Sequence, residues 1–482
     1  MNRSKKSLKC LTPFWSGTLI ILFMYACVPT KTVREANLAV PETFQNQITD
    51  TSNTANVNWK VFFSDPNLQT LIDTALSNNQ ELNIMLQSID MAKNEIQAKK
   101  GEYLPFVGVS AGADTEKVGE YTRNGVVEKN LDIEEGKAFP EPLSNFSAGL
   151  KASWELDIWK KMRNEKKAAV LEYLASVEGK NFMVTQLVSE IASAYYELMA
   201  LDNQLDIIKQ NLAIQQNALK MVKLQKQAAR ATQLAVRRFE AEVLKNQSNK
   251  YNIEQRIVET ENAINFLVGR FPQHVKRSSQ GFTELSIKSL DAGIPSQLLQ
   301  NRPDIKKAEL ELSAAKLSVK ATKANFFPSI GIKAGIGLEA FQTKFLTHTP
   351  QSLAYSLAGD LVAPLINRNA IKVEYKNATD KQLQAIFEYE KSILNAYIEV
   401  VNQVLNVEKL NQSYKLKEDQ VEALTESIEL SIKLFKSARA EYTEVLLTQR
   451  EALDSKIEII ETKRDQLLAN LKLYQALGGG WK

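Results

Sequence analysis

Apolar positions recur along this chain at two different periods, and each pattern occurs twice. Leu82, Ile89, Ile96 and Tyr103 are seven apart, as are Ile305, Leu312, Val319 and Phe326, and the second set follows the first by 223 positions (305 − 82). That spacing predicts helices packing along one stripe. Each set then runs into strict alternation, which predicts a strand. Val107, Val109, Ala111 and Ala113 alternate with Gly108, Ser110, Gly112 and Asp114, and Ile330, Ile332, Ala334 and Ile336 repeat the pattern at the same offset. Return strands follow, through Phe146, Ala148, Leu150, Ala152, Trp154 and Leu156, and through Leu353, Tyr355, Leu357 and Leu361.

Past each return strand the heptads resume and continue. Val170, Val177, Val184, Ile191, Leu198, Leu205, Leu212 and Leu219 are matched by Ile386, Ile393, Val400, Val407, Tyr414, Val421, Ile428 and Phe435, offset by 216 (386 − 170). Two helices of roughly 65 residues are expected, each about 100 Å long at ~1.5 Å per residue. Small-residue tips near Ala228–Thr232 and Ser437–Tyr442 turn each one back into a second helix, making antiparallel coiled-coil hairpins. Asp65-Pro66 opens a helix expected to continue to Gly101, and Gly269 to Asn301, with its prolines and glycines, reads as a mixed connector.

About ten alternating residues per strand, apolar on one face and small or polar on the other, is the pattern of a transmembrane β-barrel. A half-buried sandwich alternates identically, but an export signal and an otherwise helical chain favour the barrel. Four strands cannot close one, since roughly eight is the practical minimum. Bare edges are not tolerated in lipid, so several copies must share a barrel. The loops 115–144 and 340–351 are placed on its outer side.

Composition then narrows the function. The net charge is +4, but Arg3, Lys5, Lys6 and Lys9 lie within residues 1–26, so the remainder is neutral and no nucleic acid is expected as a partner. Residues 1–26 read as a secretory signal, with Phe14 to Tyr25 as the apolar core. Ala26-Cys27 resembles the lipobox of bacterial lipoproteins, which makes Cys27 the expected lipidation site, with ordinary signal cleavage nearby as the alternative. Residues 27–60 form a tether, 61–290 a first structural repeat and 291–482 a second. The histidines, His274 and His348, fall in separate segments. With no Gly-rich phosphate loop after a strand, the chain is not expected to be an enzyme, nor to need a metal or cofactor.

Six motifs in order resemble the TolC-like outer-membrane efflux proteins, in their lipoprotein branch. They are Asp65-Pro66-Asn67-Leu68 with Asn79, Ser153-Trp154-Glu155-Leu156-Asp157-Ile158-Trp159, Asn301-Arg302-Pro303-Asp304-Ile305, Phe326-Phe327-Pro328-Ser329-Ile330, Ala363-Pro364-Leu365-Ile366, and Leu473-Tyr474-Gln475-Ala476-Leu477 with Gly478, Gly479, Gly480 and Trp481. The resemblance implies an α+β membrane protein whose four strands contribute to a 12-stranded trimeric β-barrel, continued by helical hairpins as a periplasmic α-barrel. It implies a homotrimer in the outer membrane, working with a periplasmic adaptor and an inner-membrane pump of the resistance-nodulation-division type. The expected role is a passive exit duct. An ABC-driven protein secretion duct and a non-conducting envelope scaffold are the alternatives.

The resemblance also places an acid just after the second tip, where Glu444 stands, as a periplasmic gate. A plain solvated helix residue is the competing reading. A second acid one turn on is replaced by Leu447. Arg439 and Phe435 lie beside that tip, as gate closers or as ordinary hairpin stabilisers. Ala229 and Ala438 stand where tip glycines are usual, and with Arg230, Thr232 and Glu441 they are the candidate adaptor contacts. Arg302 and Asp304 are expected to pin a helix start.

Overall fold

The computed structural model describes residues 32–44, 53, 57–285, 292–437 and 439–482. The expected signal, Cys27 and Ala438 lie outside the described residues. The chain divides into two units, residues 91–173 with 311–386, and residues 36–90 with 174–310 and 387–482. In chain order the elements are α1 (Trp59–Phe62), α2 (Pro66–Asn78), α3 (Gln80–Glu102), β1 (Phe106–Glu116), α4 (Arg123–Asn130), β2 (Asp132–Glu134), β3 (Lys137–Ala138) and β4 (Leu143–Leu156). Then follow α5 (Lys161–Gln227), α6 (Gln233–Leu267), α7 (Leu298–Asn301), α8 (Pro303–Ala324), β5 (Ser329–Ala340), β6 (Leu353–Val362), α9 (Asn369–Lys436) and α10 (Tyr442–Ala476).

The first unit holds an antiparallel four-stranded sheet in the order β1-β4-β5-β6. Its register puts Val109, Leu150, Ile336 and Tyr355 in one row across the sheet, and Val107, Ala152, Ala334 and Leu357 in the next. On the other face Gly108, Lys151, Gly335 and Ser356 form a row. Gly149 and Gly337 are paired there. A Cβ on Gly149 would lie 2.5 Å from Ile336 O, and one on Gly337 2.5 Å from Ala148 O, so only glycine lets β4 and β5 approach this closely. The loop between β1 and β4 is not plain coil, since α4 is capped by Thr122 and the β2–β3 hairpin follows it.

Asp157 turns β4 into α5. Its carboxylate accepts the backbone N–H groups of Met162 and Arg163, both at 3.0 Å, which are orphan donors of the first helical turn. Trp159 stacks on Phe327 with centroids 4.6 Å apart and donates to Pro328 O at 2.7 Å. The Ser153–Trp159 and Phe326–Ile330 motifs are thus two sides of one contact.

In the second unit Leu68, Ile72, Leu82, Val188, Ile191, Tyr195, Leu198, Ile264, Val268 and Leu471 share one apolar core. The helix opened by Asp65-Pro66 does not run on to Gly101: it breaks at Asn79, whose extended backbone separates α2 from α3. The break is side-chain made. Asn79 accepts the Leu82 N–H at 2.9 Å, capping α3, and its amide donates to Leu267 O at 2.8 Å. Antiparallel pairing of α5 with α6 is fixed by Gln215–Asn246 at 2.8 Å and Lys223–Glu240 at 3.0 Å. For α9 and α10 the ties are Lys417–Glu458 at 3.1 Å and Gln466–Asn411 at 3.0 Å.

Candidate functional site

Three features bear on function: the sheet, the places where one helix ends on the start of another, and the hairpin tips. The sheet exposes its apolar rows. Val109 is 84% exposed, Tyr355 82% and Leu357 78%. The opposite face carries Lys151, Glu155, Lys333, Asp360 and Glu339 among small residues, with Lys333 and Asp360 paired at 2.7 Å. An exposed apolar face backed by a polar one suits a wall between lipid and water. Among the described residues, β1 and β6 each have one neighbouring strand in this sheet.

Two splices join helices end to start. At the first, α6 finishes with Gly269 in the left-handed region (φ 72°), the Arg270 N–H bonding Asn265 O at 2.9 Å, and Asn79 closing the Leu267 carbonyl. At the second, α10 finishes with Gly478 (φ 95°), the Gly479 N–H bonding Tyr474 O at 3.0 Å, and Arg302 closing the Ala476 carbonyl at 2.8 Å. Arg302 follows Asn79 by the repeat offset of 223. The second closure is charged: Arg302, only 5% exposed, also holds Asp304 and Glu399, each at 2.7 Å. Arg302 and Asp304 therefore do pin the start of α8, and the same guanidinium reaches α9 and α10 as well.

Sequence reasoning missed two further side-chain sets. Arg277 of the connector grips Asp202 of α5 at 2.6 and 2.9 Å and also bonds Glu261 of α6, stapling the first hairpin. A salt-bridging arginine 75 residues from its partner has no local signature. Tyr195 donates to Asp65 at 2.6 Å. Burial, and then the Asp65 carboxylate, push the Tyr195 phenol above its ordinary value, so it remains a donor.

At the first tip Ala229 is left-handed (φ 54°), the conformation a Schellman end usually gives to glycine. The Arg230 N–H bonds Gln225 O at 2.8 Å, and Thr232 caps α6 by accepting the Ala235 N–H at 3.1 Å. At the second tip the Arg439 N–H bonds Leu434 O at 2.9 Å, while Glu441 holds the N-cap position of α10 without a side-chain cap bond. Arg230, Glu441 and Arg439 are exposed and Phe435 is half-buried. The structure brings the two tips together: Tyr442 and Leu446 of α10 pack against the cluster of Val222, Ala235, Val236 and Phe239. Positions four apart share a helix face, so Glu444, midway between them, faces away and is exposed. Among the described residues no group of histidine, cysteine and acid side chains could hold a metal ion.

These features define a chain built from a four-stranded sheet with one exposed apolar face and from long helical hairpins. The family model for outer membrane efflux proteins matches residues 71–270 and 294–479, and the chain belongs to that family. It is 26% identical over 462 residues to the pyoverdine export outer membrane protein OpmQ of Pseudomonas aeruginosa, covering 96% of this chain and 95% of that one. It is 25% identical over 467 residues to the cation efflux system protein CusC of Escherichia coli O6:H1, covering 96% and 98%. The open-state MtrE outer membrane channel of Neisseria gonorrhoeae superposes with a TM-score of 0.82 at 23% identity, covering 95% and 99%.

Proposed function

We propose that this protein is the outer-membrane exit duct of a tripartite efflux pump. The observation that carries the proposal is the sheet: four strands with an exposed apolar face, a charged opposite face and an outer strand open at each side. Three copies would supply twelve strands and leave no edge in lipid. Exposed apolar positions on α6 (Leu244, Tyr251, Val258) and on α9 (Phe387, Leu394, Leu416, Leu430) support association of copies along the helices too. A Cys27 lipid anchor adds membrane attachment, the exposed tips meet a periplasmic adaptor, and an inner-membrane pump of the resistance-nodulation-division type supplies the energy. Conduction is passive, and the substrate is small molecules. Residues 61–290 and 291–482 act as the two repeats of the wall.

Glu444 serves as the gate acid in this reading. It faces away from the first hairpin and sits in the first turn of α10, where the helix dipole favours an acid. Single-channel conductance of the purified protein in a planar bilayer tests the duct. Small channels that lose cation preference in Glu444→Gln support both the duct and the gate. Channels unchanged by the mutation leave the duct and remove Glu444 from the gate. Silence from wild type and from Arg439→Ala alike rejects the duct.

A further inference from the structure

The two long helices have the same heptads but are held very differently by their own chain. Of residues 185–214 in α5, fourteen are buried, whereas none of the matching residues 401–430 in α9 is. Apolar burial in α9 ends at Val400, after Ile386, Tyr389, Ile393 and Ala396, and beyond it Ser431 alone is buried among the described residues. At that boundary stands Glu399, 53% exposed, bound at 2.7 Å to the buried Arg302. The repeat offsets put Asn79 and Met183 at the matching places of the first half. Met183 packs against the apolar core, and Asn79 carries no charge. Beyond Glu399, the ties from α9 to α10 are polar: Asn411–Gln466, Lys417–Glu458 and Lys463 over the Tyr414 ring at 5.1 Å.

We propose that the Arg302–Glu399 ion pair is a salt-sensitive latch, which fastens α9 at its last buried apolar turn and has no counterpart at the matching positions of α5. Arg302 is held on three sides, by Asp304, the Ala476 carbonyl and Glu399. Loss of Glu399 therefore leaves the guanidinium paired and the α8–α10 splice intact, and removes only the charged tie to α9. A half-exposed pair is open to screening, whose length falls from about 10 Å at 0.1 M to about 3 Å at 1 M salt. Apolar packing at Met183 strengthens with salting-out ions instead of weakening. The latch thus sets how far movement of α9 is felt at the end of α10.

Hydrogen–deuterium exchange on the full-length protein in detergent tests this, comparing peptides over residues 388–405 and 172–189 at 0.1 M and 1 M sodium chloride. The expected wild-type result is exchange over 388–405 that speeds up roughly two- to fivefold in high salt, the size fitting a half-exposed ion pair, with 172–189 unchanged. Glu399→Gln should exchange fast at both salt concentrations and lose the salt response, while Glu399→Asp should retain part of it. Equal salt responses in the two segments, or a Glu399→Gln protein whose response matches wild type, would overturn the latch. A merely structural Glu399 would speed exchange in Glu399→Gln yet leave its salt response in place, and that result also counts against the proposal.

Discussion

The two helix splices solve one problem with different chemistry. Each must satisfy carbonyls at the end of one helix while starting another, and each uses a left-handed glycine, Gly269 or Gly478, to turn the chain. The first finishes the job with a neutral amide that caps both ways, Asn79. The second uses Arg302, which closes Ala476 O and also draws in Asp304 and Glu399. A neutral cap binds two helices and no more. A buried guanidinium needs counter-charges, and so ties in a third helix, α9. The first hairpin gets its additional tie from outside, through Arg277 to Asp202 and Glu261. The two splices share one frame, and charge placement makes them unequal.

The largest effect should come from breaking the charged splice. Arg302→Met leaves the partly exposed Asp304 and Glu399 without their partner and Ala476 O open, and should cost more than the ~1–3 kcal/mol of one unpaired buried acceptor. Asn79→Ala should cost about 1–3 kcal/mol by leaving Leu267 O unpaired. Thermal unfolding of the purified proteins followed by circular dichroism compares the two, and equal losses would remove the distinction drawn here. Between these lies the glycine test. Gly478→Ala would set a Cβ 2.7 Å from Asn301 O in a left-handed residue, so it should destabilise by more than the ~1–2 kcal/mol that conformation costs an L-residue.

The tips give smaller numbers. Thr232→Ala removes a cap and should cost about 1 kcal/mol, whereas Glu441→Ala, at an N-cap position with no cap bond, should change stability by less than about 0.5 kcal/mol. Ala229→Gly relieves a left-handed alanine and should stabilise the first tip by up to about 1 kcal/mol. Local hydrogen exchange over residues 218–240 resolves both signs.

Much of this fold was legible in the sequence because its signals are local and periodic. Alternation at period two located β1, β4, β5 and β6, and heptads located the long helices. What escaped was non-local or made by a side chain. Asn79 breaks a helix without proline or glycine, by capping in both directions, so the pattern reads straight through it. The 115–144 loop hides α4, too short to carry a periodic signal. Tyr442 and Leu446 look like ordinary heptad residues until the fold seats them on the other tip. The heptads of α5 and α9 are equally regular, yet their burial differs, because periodicity marks an apolar stripe without saying which chain covers it.

In the proposed duct, the stripe on α9 and the outer strands β1 and β6 are completed by further copies. Native mass spectrometry of the protein released from detergent counts those copies directly. The expected result is an assembly of three chains, twelve strands in all. A protein that remains a single chain or a pair in membrane-like conditions, with its sheet intact, would contradict it.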